Sequence, residues 1–494
     1  MYKNYVFKNS IVMLIVIMIS GVLAQTTYSL LSPPSPKGQH NLIVQDVTIV
    51  DVKTGKLTPK QSIVITGNEI TRIDNTANID VPDDAHVIKA SGKYVIPGLW
   101  DMHVHMEQFM DSAVPLLLAN GVTGAREMGS SLTHVKLTQN MHNKGTLMPR
   151  IAYSGKVINK FPNDQVPPHH FNLKTEGEAR KAVQLLKQHK VDHVKMYSYM
   201  PENLYAAVMD EAKKLNLPVS GHLPLTIRAD QASNDGMRSF EHLHGMHIAT
   251  ASQKSGIFNR YLKEVVAGAL NKDHLLYYDY EIKAAEQYNA GESQKLYEIF
   301  KQNDTFQVPT LVTMVSTVKP SPDQRIKYVA PSIQKQWLAA IKRSQSNNRE
   351  VMTVNKMMKI NSDLIRKMNQ AGVPIMAGSD TTYMMPNLYY GFSLHEELQL
   401  LVEAGLSPLQ ALQSATINPA RFLENEDKQG TVEEGKLADL VLLDANPLDD
   451  IRNTTRIHAV VMNGHLIDQT EIKKMVKTYP IIKEFARKNT ALPR

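Results

Sequence analysis

The sequence predicts an α/β chain organised as a (β/α)8 barrel of the TIM type beside a smaller β domain, on three observations. β-rich runs cluster at both chain ends, strand and helix patterns alternate between them, and imidazole or carboxylate groups directly follow several buried-strand patterns.

Taken in chain order, residues 1–24 read as a secretory signal peptide. Lys3 and Lys8 precede an apolar run from Ile11 to Ile19, and Val22 and Ala24 occupy small-residue positions before a cleavage point. The run is short against the roughly 20 residues of a membrane span. Export to the periplasm or medium is therefore expected, with an uncleaved N-terminal anchor as the alternative. No Cys follows the run, which excludes a lipid anchor of the bacterial type. Residues 25–40 are rich in Pro and Ser and read as an extended linker.

Residues 41–97 hold short β-rich runs punctuated by Gly and Asn, and a matching set returns over 429–470 in ADLVLLDAN and IHAVVMNGHLID. These two parts are expected to pair into one discontinuous domain, followed by a tail over 471–494 that reads as a basic solvated helix. Residues 98–428 carry the alternation. Thr175 and Glu178 form a capping box ahead of a helix with Val183 and Leu186 on one face; VDHVKMY, ENLYAAVMDEAKKL and LPVSGH then read strand, helix, strand. Ser393 with Glu396 reads as a second capping box, and Ser407 as an N-cap with Pro408 at the first helical position. The stretch from Lys319 to Met358 reads as a helical insertion whose Met358 packs.

Composition narrows the chemistry. The 494 residues are 43% hydrophobic, enough for a large core, and contain no Cys, so a metal would have to be held by His, Asp, Glu or a modified Lys. The 55 basic against 48 acidic residues give a net charge of +7, spread along the chain, which does not resemble a nucleic-acid footprint. Histidine is placed less evenly. His103 and His105 stand two apart at the end of a strand-like run, so an extended backbone lets both reach one cation. His222 follows LPVS, His242 and His244 follow SFE, and Asp380 ends VPIMAGSD. In a barrel such positions converge at the C-terminal face.

With VIPGLWDMHVH, GVTGAREMG, VDHVKMY, FEHLHG, AGSDT and GKLADLVLLDANPL in this order, the chain resembles the amidohydrolase superfamily, in particular its imidazolonepropionase-like and Xaa-Pro dipeptidase branch. The resemblance implies a barrel with a small β-sandwich built from both chain ends. It further implies two divalent cations, zinc by default. His103 and His105 would hold the more buried one, His222 and His242 the other, and a carboxylated Lys195 would bridge them. Asp380 would be both ligand and catalytic acceptor of the proton from a metal-activated hydroxide. Tyr197, Tyr199, His170 and His244 are candidate substrate contacts, with His169 beside them, and Arg126 is expected to be a structural ion-pairing residue. The implied activity is hydrolysis of a peptide-like amide in a small molecule or short peptide, such as a dipeptide or an N-acyl amino acid. Alternatives are a one-metal hydrolase of cyclic amides without the lysine bridge, and an exported binding protein without catalysis. Neither a nucleic-acid partner nor a membrane partner beyond the N-terminal anchor is expected, and a homo-oligomer is compatible with the sequence.

Overall fold

A computed structural model describes residues 42–161, 166–271, 273 and 275–477. The expected signal peptide and linker lie outside the described residues, as does most of the C-terminal tail, of which residues up to 477 are helical. Among the described residues no helix is long and apolar enough to cross a membrane.

The β-rich ends meet as expected. Leu440–Leu443 runs antiparallel to Tyr94–Pro97, from Leu440 opposite Pro97 to Leu443 opposite Tyr94, and joins the two parts of the chain. Around this seam lies one eight-stranded sheet. Its pivot is Leu42–Val50, which pairs with Leu57–Thr66 on one edge and with His86–Lys89 and then Tyr94–Pro97 on the other. Alternation in these strands supplies a separate core of Val44, Val47, Ile63, Ile65, Val95, Leu440, Leu442 and Val461.

The middle of the chain is parallel. Leu99–Val104, Val122–Glu127 and Arg150–Tyr153 form one sheet. His170–Asn172, Val157–Asn159, Val194–Met196, Val219–Gly221, Met237–Glu241 and Phe306–Val308 form a second. Backbone hydrogen bonds continue between them: Asp192 N to Tyr153 O, Met376 N to Gln307 O and Met102 N to Ala377 O. Most of these strands are buried along their length, as parallel strands between helices must be, so the polar residues they carry, such as Asp101, His103, Arg126 and Lys195, are buried with them.

The helix Glu176–Gln188 begins with the expected Thr175–Glu178 capping box and buries Ala179, Ala182, Val183 and Leu186. Ser407 caps Pro408–Ser414 as expected, reciprocally with Gln410. The expectation at Ser393 is corrected. That helix spans Phe392–Glu403 from an N-cap at Gly391, so Ser393 lies inside its first turn, where its Oγ accepts from Tyr389 N. Glu396 turns instead to an ion pair with Lys319 at 2.8 Å. Met358 packs against the main core.

Candidate metal centre

The C-terminal ends of the parallel strands converge on one cleft of about 510 Å³, whose lining includes His103, His105, Lys195, His222, His242 and Asp380. Two glycines make the convergence possible. A Cβ on Gly378 would stand 2.7 Å from Val308 Cγ1 and 2.9 Å from His103 Cβ, and one on Gly221 would stand 2.1 Å from the Met196 carbonyl oxygen. Only a residue without a side chain lets Asp380 and His222 follow directly on such tightly packed backbone.

His103 and His105 both turn to the Asp380 carboxylate, as their spacing implies: their Nε2 atoms lie 3.4 and 3.2 Å from Asp380 Oδ1. The His103 ring is 4.7 Å from that of His242, which is 4.8 Å from that of His222, and His244 is 5.1 Å from both. Ligand atoms of His103, His242 and Asp380 all lie within 4.8 Å of one another.

Each imidazole is held by a fixed neighbour. His103 Nδ1 is 2.8 Å from Glu241 Oε2, His242 Nδ1 is 2.7 Å from Thr310 Oγ1 and His222 Nδ1 is 2.8 Å from Ser198 Oγ. A carboxylate accepts only, so His103 Nδ1 carries the proton and its Nε2 is a lone pair. That lone pair is buried, without a hydrogen-bond partner, and faces a carboxylate oxygen at 3.4 Å. Two facing acceptors repel, and a buried acceptor without a donor costs on the order of 1–3 kcal/mol. Lys195 Nζ is likewise buried and without a partner among the described residues. The donor set therefore fits a divalent cation, and it lacks the thiolates that would favour softer ions.

Electrostatics agree with this fit. Burial, reinforced by Lys195 for two of them, pushes His103 and His222 well below the usual imidazole range, and burial lowers His242 to about 3. All three are neutral ligands at neutral pH. Burial brings Lys195 down to about 8, which increases the share of uncharged amine, the form that can react with carbon dioxide. Burial opposes ionisation of Asp380, yet the cluster of imidazoles around it, with a hydrogen bond from His105, outweighs burial and holds the carboxyl below its ordinary range.

Strain surrounds the same imidazole. His242, Leu243, Thr310 and Asp380 have φ of 63°, 57°, 49° and 50°, in the left-handed region. Asp tolerates that region, but β-branched Thr310 does so at a cost on the order of 1–2 kcal/mol. Such strain clusters where a site imposes its geometry.

His170, His169, His244 and Tyr197 line the cleft as expected, with the Tyr197 ring 4.1 Å from that of His222. Tyr199 does not line it. The strand ends at Met196, and beyond Ser198 the backbone is drawn aside by Tyr199 N donating to Asn159 Oδ1 and its carbonyl accepting from Lys160 N. Arg126 is the ion-pairing residue the sequence suggested, 2.8 Å from Glu241 and fully buried. Sequence reasoning missed the other wall of the cleft: Met128, Leu275, Tyr278, Met314, Glu350, Val354, Met384 and Met385. These residues sit on helices and loops whose apolar positions read as ordinary core, and no local signal distinguishes them.

A profile of the Amidohydrolase family matches residues 94–467, and the chain belongs to that family. Within it, the chain is similar to an adenine deaminase of Rubrobacter xylanophilus, 32% identical over 98 residues, 18% of this chain and 16% of the relative. It is also similar to imidazolonepropionases of Thermoplasma volcanium, 33% identical over 109 residues (21% and 26% of the two chains), and Vibrio cholerae, 28% over 162 residues (30% and 39%). The aligned stretches thus span less than half of these relatives. Solved structures share the fold over most of the chain. A bottromycin amidohydrolase superposes with a TM-score of 0.67 at 20% identity, covering 94% of this chain and 96% of its own. A Xaa-Pro dipeptidase with bound methionine in its active site gives 0.62 at 21%, covering 87% and 100%. Ochratoxinase of A. niger gives 0.61 at 16%, covering 87% and 96%.

Proposed function

We propose that the protein is an exported, metal-dependent amidohydrolase that cleaves a peptide-like amide bond in a small molecule or short peptide. The observation that carries this is the His103 lone pair facing the Asp380 carboxylate beside an unpartnered Lys195 amine, an arrangement that a dication and a lysine carbamate would complete. Export rests on the apolar run after Lys3 and Lys8. Leu99–Val104, Val122–Glu127, Arg150–Tyr153, Val194–Met196, Val219–Gly221, Met237–Glu241, Phe306–Val308 and residues 375–377 are read as one eight-stranded barrel over 98–428, to which Val157–Asn159 and His170–Asn172 are added at the strand ends. The bend by which Leu42–Val50 changes partners is read as the point where the end sheet (residues 41–97 with 429–470) folds into a sandwich.

Two zinc ions are the proposed occupants: His103 and His105 would hold one and His222 and His242 the other, with Asp380 and a carboxylated Lys195 as further ligands. When bound, such ions polarise a carbonyl and lower the pKa of water towards about 7. The chain's own groups do the rest. Asp380, kept anionic by its imidazole neighbours, takes the proton of the attacking water at a carboxylate oxygen and returns it to the departing nitrogen. Glu241 holds His103 in one tautomer, and Tyr197, His170 and His244 wall the substrate in against the strand ends.

Metal analysis of the purified protein followed by an amide panel tests the reading. Two metals per chain with turnover of a linear amide support it; protein that retains no metal and cleaves none of the panel refutes it. One metal per chain, an unmodified Lys195 and turnover of a cyclic amide would instead favour the imidazolonepropionase-like alternative, which the similarity to that enzyme of Thermoplasma volcanium makes the second reading.

A further inference from the structure

The outer cleft is asymmetric in charge. Beyond the metal-centre residues, its described lining contains the acids Glu107 and Glu350 and no Arg or Lys. Among the described cations close to it in sequence, Lys156, next to Val157, lies over the Phe171 ring at 5.0 Å, and three others are ion-paired away from the cleft. Arg349, next to Glu350, pairs with Asp273 and Asp279 at 2.9 and 2.7 Å, and Lys319 and Arg325 both pair with Glu396. The two acids also differ in availability. Glu107 is spent on the backbone N–H and hydroxyl of Ser131. Glu350, in the first turn of Asn348–Gln370, has among the described residues only a 3.3 Å contact from the Asn347 amide on its carboxylate. The same cleft is lined by the apolar or aromatic Leu275, Tyr278, Met314 and Val354, and Tyr278 is near enough for Glu350 to act on its hydroxyl.

A dipeptide or an N-acyl amino acid carries a free carboxylate within a few ångströms of the bond to be cut. Such a group needs a guanidinium, an ammonium or a cluster of backbone N–H groups to replace its water. A free carboxylate that reaches the outer cleft would meet Glu350 there, with no Arg or Lys in the described outer lining to balance it. Like charges brought together at a binding surface are strongly disfavoured.

We propose that the cleft selects amides whose distal end is uncharged or cationic and apolar in body, and discriminates against those ending in a free carboxylate, with Glu350 as the residue that sets this preference. This narrows the amidohydrolase reading and rests on it, since it names the class of amide that reaches the metal centre.

The test compares alanyl-methionine with alanyl-methioninamide, which differ only in the terminal group, on the metal-loaded full chain. Binding is read by calorimetry and hydrolysis of the Ala–Met bond is read separately. The carboxamide is expected to bind at least about tenfold tighter, with the difference in turnover lying in KM rather than kcat. Glu350→Gln should narrow the ratio several-fold and Glu350→Lys should invert it. Equal or tighter binding of the free acid, binding of neither peptide, or an unchanged ratio in Glu350→Gln overturns the proposal. Should Glu350→Lys fail to fold, as judged by its Tm, the isosteric Glu350→Gln carries the test. A preserved binding preference without hydrolysis of either peptide would count against the amidohydrolase reading and leave the charge selection standing.

Discussion

Glu241 Oε2 lies 2.8 Å from His103 Nδ1, while its Oε1 accepts from Arg126 at 2.8 Å and from Ser239 Oγ at 2.6 Å. One fully buried carboxylate thus neutralises a buried guanidinium and sets the tautomer of an imidazole facing the cleft. Groups of this kind behind a metal-binding His are worth about 10–100-fold in metal affinity. Glu241→Gln is expected to weaken metal retention by about that factor in a chelator competition. An unchanged affinity with a lowered Tm would show that Glu241 serves Arg126 alone.

Asp380 is the proposed proton carrier. Asp380→Asn keeps the size of the side chain but removes its basicity, so kcat should fall by about 10²–10⁴-fold. Tm and metal content should be measured on the same preparation. A variant that retains its metal and more than a tenth of wild-type turnover would exclude Asp380 from proton transfer.

Lys195→Met keeps an unbranched side chain of similar bulk in a fully buried position and removes the amine. Under the carbamate reading, metal content measured by plasma emission should drop from two ions per chain to one or none. Two ions retained by the variant would rule out a bridging role.

Thr310 combines a strained φ of 49° with a 2.7 Å contact between its Oγ1 and His242 Nδ1. Thr310→Gly relieves the backbone and deletes the contact, so stability and metal binding should move in opposite directions. Tm measured without metal is expected to hold or rise, while affinity for zinc falls. A fall in both would show that the hydroxyl, rather than the backbone, dominates stability at this position.

Glu397 lies beneath the helix Leu311–Val318, with its Oε2 accepting from Val312 N at 2.8 Å and its Oε1 buried without a hydrogen-bond partner among the described residues. Burial pushes its carboxyl up to about 8, against hydrogen bonds that lower it. The folded chain therefore holds this proton to higher pH than the unfolded chain, which releases it near the ordinary value of about 4.5. Stability from this group is fully present below that ordinary value and is lost as pH rises through it towards the folded value. Glu397→Gln keeps the acceptor for Val312 N without the titration. Wild-type Tm should fall more steeply than the variant's between about pH 5 and pH 8. Parallel profiles would mean that the carboxyl is ionised throughout.

Much of the site was legible because it follows from period and position. His103 and His105 share a face through strand alternation, and His222, His242 and Asp380 were found as polar groups immediately after apolar runs. The pairing of the chain ends was legible for the same reason, since ADLVLLDAN and the runs after Asn41 share one pattern. Local rules failed where a long-range partner decides the outcome. Ser393 fits a capping box by spacing, but Glu396 is drawn to Lys319 and the helix starts two residues earlier, from Gly391. Tyr199 follows the same strand as Lys195, but Asn159 draws its backbone away from the cleft.

The sequence by itself determined the alternation of strands and helices, the absence of thiolate chemistry and the imidazole and carboxylate candidates for a metal site, because these depend on residue type and on spacing along one chain; Lys195 entered through the family resemblance. Only the tertiary structure decided which tautomer His103 adopts, that Arg126 is consumed by Glu241, and that Glu350 rather than a cation faces the outer cleft. Those outcomes depend on which groups meet across gaps of up to hundreds of residues. In a buried site the free energy of a charge or lone pair is set by such neighbours, not by its own position in the sequence.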